Sequence, residues 1–545
     1  MNQSANCHIN VACPQGAAYQ DQANSTAMVL LPNQTEWCSS TLLNNTCNNF
    51  RPYMLTAFHC LDIGGAIGTS CDGDYGNGNL SQVEINNAQN FGFRFQFRSP
   101  NCSPSTAPAF TFFYPGATFR AANFNTDFAL MEMNTVPSPA SNIRYAGWTR
   151  DATPPTSMGI LGHPNGDVMK IARANAPALN TGLLLVQNPC FLQAFPVNTQ
   201  WQVTLTDGAT EGGMSGGGWF NQDGRLFAQH HGGSDPVCAT PRIPFAGAFH
   251  QSWNGGGTAN TRLSDWLDPA GTGAITTNQL VTIPSVSGPT FFCTTAQFTF
   301  NNAPPGATIT WSVSPSSAVS PSSGTGTVAN VTAAGNANAT ITFRVSCGNG
   351  APFNYNFHVG DYSSSNYPVS GPSNAGCFQT VYYSTNQLPG ATSYTWFWPS
   401  NWTYISGQGT NQLAVQTGGS GSSGTVGVRV GACGGSGGSP ATRFTSVNCS
   451  FRLTAEVFPN PASEQVEIVG GKEAPGEGRT RSVLIPDIGN YDARLYNAVG
   501  NLVRSGKSTN GKLSFNVQQL PNGVYTLRLD DGSGKPVTKR VVIAH

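Results

Sequence analysis

Charge is what this 545-residue chain has least of. Asp, Glu, Lys and Arg make up 10 % of it, and its 26 basic and 26 acidic residues cancel. An ordinary soluble domain carries roughly 25 %. Without net positive charge the chain lacks the surface that neutralises phosphates, which excludes a nucleic-acid binder. No apolar run reaches the 18 or so residues that span a bilayer, so no transmembrane segment is expected. The N-terminus has no basic start followed by an apolar stretch, so it is not a signal peptide. The 14 cysteines include no Cys-x-x-Cys pair. Scattered and even in number, they read as disulfides of an oxidising compartment, and no metal site is expected. The missing signal and the disulfides agree only if an export signal, and with it a pro-segment, has been removed. Lysine is the scarcest charge: of six, only Lys170 precedes position 471.

What is present is glycine (63), proline (37) and 39 % hydrophobic residues, enough for packed cores and too much for wholesale disorder. At about 150 residues per domain the length allows three or four domains. Residues 1–275 show short apolar runs broken by Gly, Asn and Pro without a sustained 3.6-residue period, the pattern of an all-β barrel or sandwich. One helix is expected at Thr261–Leu267, stopped by Asp268-Pro269.

Residues 276–448 contain an internal repeat. Ser287-Gly288-Pro289, Cys293, Pro305-Gly306-Ala307-Thr308 and Trp311 recur as Ser370-Gly371-Pro372, Cys377, Pro389-Gly390-Ala391-Thr392 and Trp396, and Cys347 matches Cys433. A Cys…Trp…Cys unit with alternating strands predicts two small sandwiches, 276–362 and 363–448, each with a Trp packed on a cross-sheet disulfide. The expected bonds are Cys293–Cys347 and Cys377–Cys433. The units resemble the PKD-like or immunoglobulin-like modules appended to exported bacterial enzymes. Residues 449–545 hold 12 basic and 9 acidic residues and several strand-like runs, and they predict a further small sandwich.

Three segments carry the chemistry: Leu55-Thr56-Ala57-Phe58-His59-Cys60, Asn125-Thr126-Asp127-Phe128-Ala129-Leu130, and Gly212-Gly213-Met214-Ser215-Gly216-Gly217-Gly218. A serine hydroxyl is a poor nucleophile at neutral pH. It needs a histidine to take its proton and a buried carboxylate to hold that histidine's tautomer. His59, Asp127 and Ser215 supply these in the order of the chymotrypsin-like double barrel. The glycines around Ser215 let the N–H groups of Gly213 and Ser215 meet a developing oxyanion. No cofactor is needed.

On these segments, and on Cys7-His8-Ile9-Asn10-Val11-Ala12-Cys13-Pro14, Tyr145-Ala146-Gly147-Trp148, His163-Pro164-Asn165, Thr210-Glu211, His231-Gly232-Gly233 and Ser252-Trp253-Asn254-Gly255-Gly256-Gly257, residues 1–275 resemble the bacterial lysyl endopeptidases. The resemblance implies a chymotrypsin-like double β-barrel, a mature N-terminus close to residue 1, and disulfides Cys7–Cys238, Cys13–Cys102 and Cys38–Cys60. Cys47 and Cys71 are then expected to clamp the loops near His59, with Cys190 and Cys449 unassigned. The resemblance also places Ala209, His231, Gly232, Gly233 and Pro244 along the substrate pocket. There the chain departs from the family. Lysine specificity in that family rests on an acid at the pocket base, and Pro244 stands where that acid belongs. A buried ammonium without a partner costs several kcal/mol, so loss of lysine specificity is expected, with Asp235 on the rim the nearest substitute. The depletion of lysine before position 471 argues the other way, because it would spare a lysine-cleaving enzyme from itself.

Val457-Phe458-Pro459-Asn460-Pro461-Ala462, Gly523-Val524-Tyr525 and the end Lys539-Arg540-Val541-Val542-Ile543 resemble the sorting domain of the type IX secretion system of Bacteroidetes, which implies the secretion machinery as a partner and a secreted or cell-surface location. Other features read as structure. Asp72-Gly73-Asp74 is a polar turn rather than a calcium loop, Tyr394 and Trp396 are core residues, His163 is structural, and His230 is a surface or packing residue. The expected protein is a secreted serine endopeptidase acting on proteins or peptides. The alternative is a surface adhesin or glycan-binding protein with an inert protease-like domain, in which 276–448 contacts glycans or cell surfaces.

Overall fold

In the computed structural model, the structure describes residues 4–64, 74–187, 190, 192–233, 237–419, 421–435, 438–448, 452–473, 490–532 and 535–545. The chain divides into two units. One comprises residues 1–290 and 294–358, the other residues 291–293 and 359–545.

The first unit begins with the two sheets of a double β-barrel. In the first, seven strands run in the order Phe112–Pro115, Gly92–Phe95, Thr26–Leu30, Glu36–Leu43, Tyr53–Ala57, Phe128–Met133, Ala117–Asn123. Thr26–Leu30, Tyr53–Ala57 and Phe128–Met133 are buried at every position, which is why the sequence there reads as continuous apolar runs rather than alternation. The second sheet orders eight strands as Ile9–Asn10, Lys170–Ala174, Met158–Gly162, Gly218–Asn221, Leu226–Gly232, Phe245–Ala248, Gln200–Gln202, Leu179–Asn180. Leu43, Leu55, Leu130, Leu161, Ile171 and Trp148 form one core, and Ile160, Trp201, Met214 and Trp219 another. The expected helix is shorter, Ser264–Leu267, and among the described residues three others join it: Gln20–Ala23, Phe249–Asn254, and Gln82–Ala88 with its Ser81/Glu84 capping box.

The sandwiches alternate instead. Ile309–Ser314 buries every second side chain, as do Thr380–Ser384 and Ser393–Phe397, so one face of each strand is solvated. In the second unit Tyr394 and Trp396 face the core of the module. The C-terminal strands Gln465–Glu473, Asp492–Tyr496, Gly523–Asp530 and Val537–Ile543 close on a core of Val466, Leu495, Leu527 and Val541.

The disulfides correct the repeat reading. Cys7–Cys238, Cys13–Cys102 and Cys38–Cys60 are bridged. The expected pairs Cys47–Cys71, Cys293–Cys347 and Cys377–Cys433 are not formed: Cys47 joins Cys347 and Cys293 joins Cys433. A disulfide requires Cα atoms within about 7 Å, and position decides this rather than repeat register. The turn after Ala337–Val345 brings Cys347 to the Asn45–Asn49 loop, where Asn49 Nδ2 donates to Cys347 O (2.9 Å). The short segment Phe291–Cys293 belongs to the second unit, where Cys433 lies. Without a Cys293–Cys347 bond, Trp311 lies against Gly324, where a Cβ would come within 2.6 Å of its ring. Cys190 and Cys377 are disulfide-bonded; Cys71, Cys449 and the Asp72-Gly73 part of the polar turn lie outside the described residues.

Candidate active site

Strand Tyr53–Ala57 ends in the tight turn Phe58–Cys60, which carries His59. Its neighbour Phe128–Met133, in register Ala57↔Phe128, is preceded by Asp127 in a left-handed conformation (φ 52°). Strand pairing thus delivers both residues to one edge. Three contacts fix them: His59 N donates to Asp127 Oδ1 (3.0 Å), Phe58 N to Asp127 O (2.8 Å), and His59 Nδ1 lies 2.9 Å from Asp127 Oδ2. Asp127 is buried, while the His59 ring is one-third exposed. Burial alone would push the imidazole down and the carboxyl up. The pair reverses both: Asp127 holds His59 above its ordinary value, and His59 with His231 holds Asp127 below its own.

Ser215 sits half-buried on the loop before Gly218–Asn221. Ser39 N donates to Ser215 O (2.8 Å), and Cys60 Sγ is 3.9 Å from the same oxygen, which sets the serine beside the His59 turn. Gly216 (φ +79°) makes this approach possible, since a Cβ there would meet Thr56 Oγ1 at 2.3 Å and Ser39 O at 2.4 Å. Gly213 has φ +89°, which favours glycine. Among the described residues the N–H groups of Gly213 and Ser215 have no acceptor in the protein.

His231 packs toward the same place. Its ring centre is 5.7 Å from that of His59 and 4.5 Å from Phe195, which in turn stacks on Phe124 at 4.7 Å. Gln200 Oε1 is 3.3 Å from His231 Nδ1, and burial lowers the His231 pKa. Atoms of His59, Asp127 and His231 approach within 4.8 Å of one another, but the carboxylate is already engaged by His59. His230 is buried against Trp219, its pKa lowered by burial to about 3. His163 is buried with Nδ1 3.1 Å from Asp167 O, its pKa lowered by burial to about 4.

The cleft beside the pair is a cavity of about 440 Å³ lined by His59, Asp62, His231, Gly232, Gly233 and Phe245, with Leu184–Gln187 as a further wall. Ala209 and Pro244 are buried. A Cβ on Gly233 would lie 2.9 Å from Thr210 Oγ1 and 3.7 Å from Pro244 Cα, so these residues converge without bringing a charge. Arg242 donates to Gly208 O. Glu211, the acid closest in sequence to Ser215, faces Ala5 N, His8 and Asn165 instead. Asp235 lies outside the described residues. Lys170 is buried, with Nζ 2.7 Å from Asn10 Oδ1 and 3.3 Å from Asp167 Oδ2.

Sequence reasoning missed Asp62. It accepts from Gly76 N (3.0 Å) and Gly78 N (2.8 Å), burial pushes its pKa up to about 6, and its charge raises His59. The one signal available was its place three residues after His59. Gln200 and Phe195, behind His231, had none.

Residues 1–243 match the family model described as "Lysyl endopeptidase, C-terminal domain", residues 363–443 the PKD-like domain, and residues 456–544 the secretion system C-terminal sorting domain. In chain order the matches are to a lysyl endopeptidase, a PKD-like and a sorting domain. Solved structures similar to it include neuropsin from mouse brain (13 % identity, TM-score 0.28, 45 % of this chain and 94 % of that one). A Glu endopeptidase in complex with MPD (16 %, 0.26, 45 % and 92 %) and the HtrA-type protease AlgW with a decapeptide (13 %, 0.27, 43 % and 64 %) are also similar. The protein is protease-like, and its sorting domain and disulfides mark it as secreted or cell-surface. No helix among the described residues is long and apolar enough to cross a membrane.

Proposed function

We propose that the chain is a secreted serine endopeptidase. Ser215 attacks the scissile carbonyl, and His59 takes the hydroxyl proton and returns it to the leaving amine. Asp127 holds the imidazole tautomer and stabilises the imidazolium. The N–H groups of Gly213 and Ser215 receive the oxyanion. Water, deprotonated by His59, then attacks the acyl-enzyme, and the collapsing intermediate releases the acid and restores Ser215. The observation that carries the reading is the buried Asp127 carboxylate 2.9 Å from His59 Nδ1, the arrangement that fixes a general base's tautomer. The protease domain spans 1–275, the modules 276–362 and 363–448, and the sorting domain 449–545. The substrates are proteins or peptides.

The convergence of Thr210, Gly233 and Pro244, none of them charged, supports a further step, that lysine is no longer the preferred residue before the scissile bond. Digestion of a mixed peptide library tests both statements. Hydrolysis that Ser215→Ala abolishes, together with labelling by a serine-directed phosphonate, supports the enzyme. Hydrolysis surviving Ser215→Ala refutes the triad, and dominant cleavage after Lys refutes the change of specificity.

A further inference from the structure

An oxyanion hole works only if its donors are aimed before the reaction begins. The donor of Gly213 belongs to the peptide plane Gly212–Gly213. In a trans peptide the C=O and the N–H point in opposite directions from one rigid plane. Whatever grips Gly212 O therefore aims the Gly213 N–H. Asn165 does this: its backbone N–H donates to Gly212 O at 2.7 Å. A glycine at 213 with φ +89° has little intrinsic resistance to turning this plane over, and Gly212 is exposed.

Asn165 is itself in a left-handed conformation (φ 47°) on the turn Pro164–Gly166. Its side chain donates to Glu211 Oε1 at 2.7 Å. The other carboxylate oxygen faces the N-terminal segment, with Ala5 N donating at 3.0 Å and His8 Nε2 at 3.1 Å. That segment is anchored independently. Cys7 is bonded to Cys238, and Ser4 Oγ donates to Asp167 Oδ2 at 2.8 Å. Glu211 backbone O also accepts from Met214 N (3.1 Å), and Ser39 Oγ donates to Gly213 O (2.8 Å).

We infer that Glu211 is a positioning residue that ties Asn165 to the anchored segment Ser4–His8 and so keeps the Gly212–Gly213 peptide turned with its N–H toward the reacting carbonyl. Four positions before the nucleophile, both oxygens of this carboxylate are engaged by Asn165, Ala5 and His8. The inference rests on the protease reading above.

The test uses the full chain and a peptide substrate that the wild-type protein cleaves. Glu211→Gln keeps the shape but cannot accept from Asn165, Ala5 and His8 together. We expect kcat to fall about 10-fold, a partial loss beside the roughly 100- to 1,000-fold that follows removal of a whole donor. KM and the thermal midpoint should stay within error. A peptide aldehyde, whose bound hemiacetal places an oxyanion in the hole, should bind about 10-fold more weakly, and the corresponding product acid should not. If Glu211→Gln does not fold, Asn165→Ala is read by the same criteria. Unchanged kcat in the folded variant overturns the inference. So does a loss that merely follows the unfolded fraction, or equal weakening of aldehyde and product acid. A wild-type protein that hydrolyses no peptide overturns the protease reading and this inference with it, whereas an active wild type with an unaffected variant overturns the inference alone.

Discussion

The two ends of the cleft are built differently. At the catalytic end every polar atom of Asp127 has a partner, and two adjacent strands fix where His59 and Asp127 must stand. At the pocket end Gly233, Thr210 and Pro244 converge, and Glu211, the acid closest in sequence to Ser215, faces Ala5, His8 and Asn165. A proton-transfer pair tolerates few residue types and one geometry, whereas a pocket floor tolerates any residue that fills it. Changes at the first end should therefore remove activity, and changes at the second should redirect it.

The largest effect is expected from Asp127→Asn, which leaves the shape but stabilises the wrong tautomer of His59. Steady-state kinetics should show kcat down by on the order of 10⁴-fold. A loss under 10-fold would mean that the catalytic end is no more constrained than the pocket. Next comes Pro244→Asp, which restores an acid to the floor. Competition between peptides differing only in the residue before the scissile bond should show the ratio of Lys to apolar cleavage rising about 100-fold. That corresponds to roughly 3 kcal/mol, within what a partner returns to a buried ammonium. An unchanged ratio would place specificity elsewhere in the cleft.

The smallest effect is in the pH profile. Hydrolysis needs neutral His59, and Asp127 holds the pKa of that imidazole above its ordinary value, so activity should rise with pH through an inflection above about 6.5. Asp62 adds a second negative charge that favours the imidazolium. Removing it in Asp62→Asn lowers the His59 pKa and moves the acid limb of kcat/KM to lower pH. A limb that moves up would reverse the sign of this coupling.

Much of the candidate site was legible because its residues sit in tight local contexts. Thr-Ala-Phe-His-Cys ends a buried strand, and Gly-Met-Ser-Gly-Gly is a loop in which a Cβ at Gly216 collides with backbone. Asp62 was not legible, since its influence on His59 depends on the N–H groups of Gly76 and Gly78 folding back over it. Glu211 was visible as a residue but not as a contact, because Ala5 and His8 are about 200 positions away. In the modules the 3.4 Å-per-residue alternation of the strands was readable. The repeat itself misled about cysteines, because two copies of a sequence unit need not meet the same neighbours.

Lys170 shows the same division. Its solitude before position 471 is a fact of the sequence, but its burial beside Asn10 and Asp167 keeps it from any cleft, so scarcity alone says little about what the pocket accepts. The sequence by itself determined the order and chemical types of the proposed reacting groups, the all-β class and the sorting end, because periodicity and short-range sterics act between near neighbours. Tertiary structure alone decided the partners of Cys47 and Cys293, which carboxylates act on His59 and which way Glu211 faces. Those outcomes depend on distances between segments up to 300 residues apart, and only the packed barrels and sandwiches set such distances.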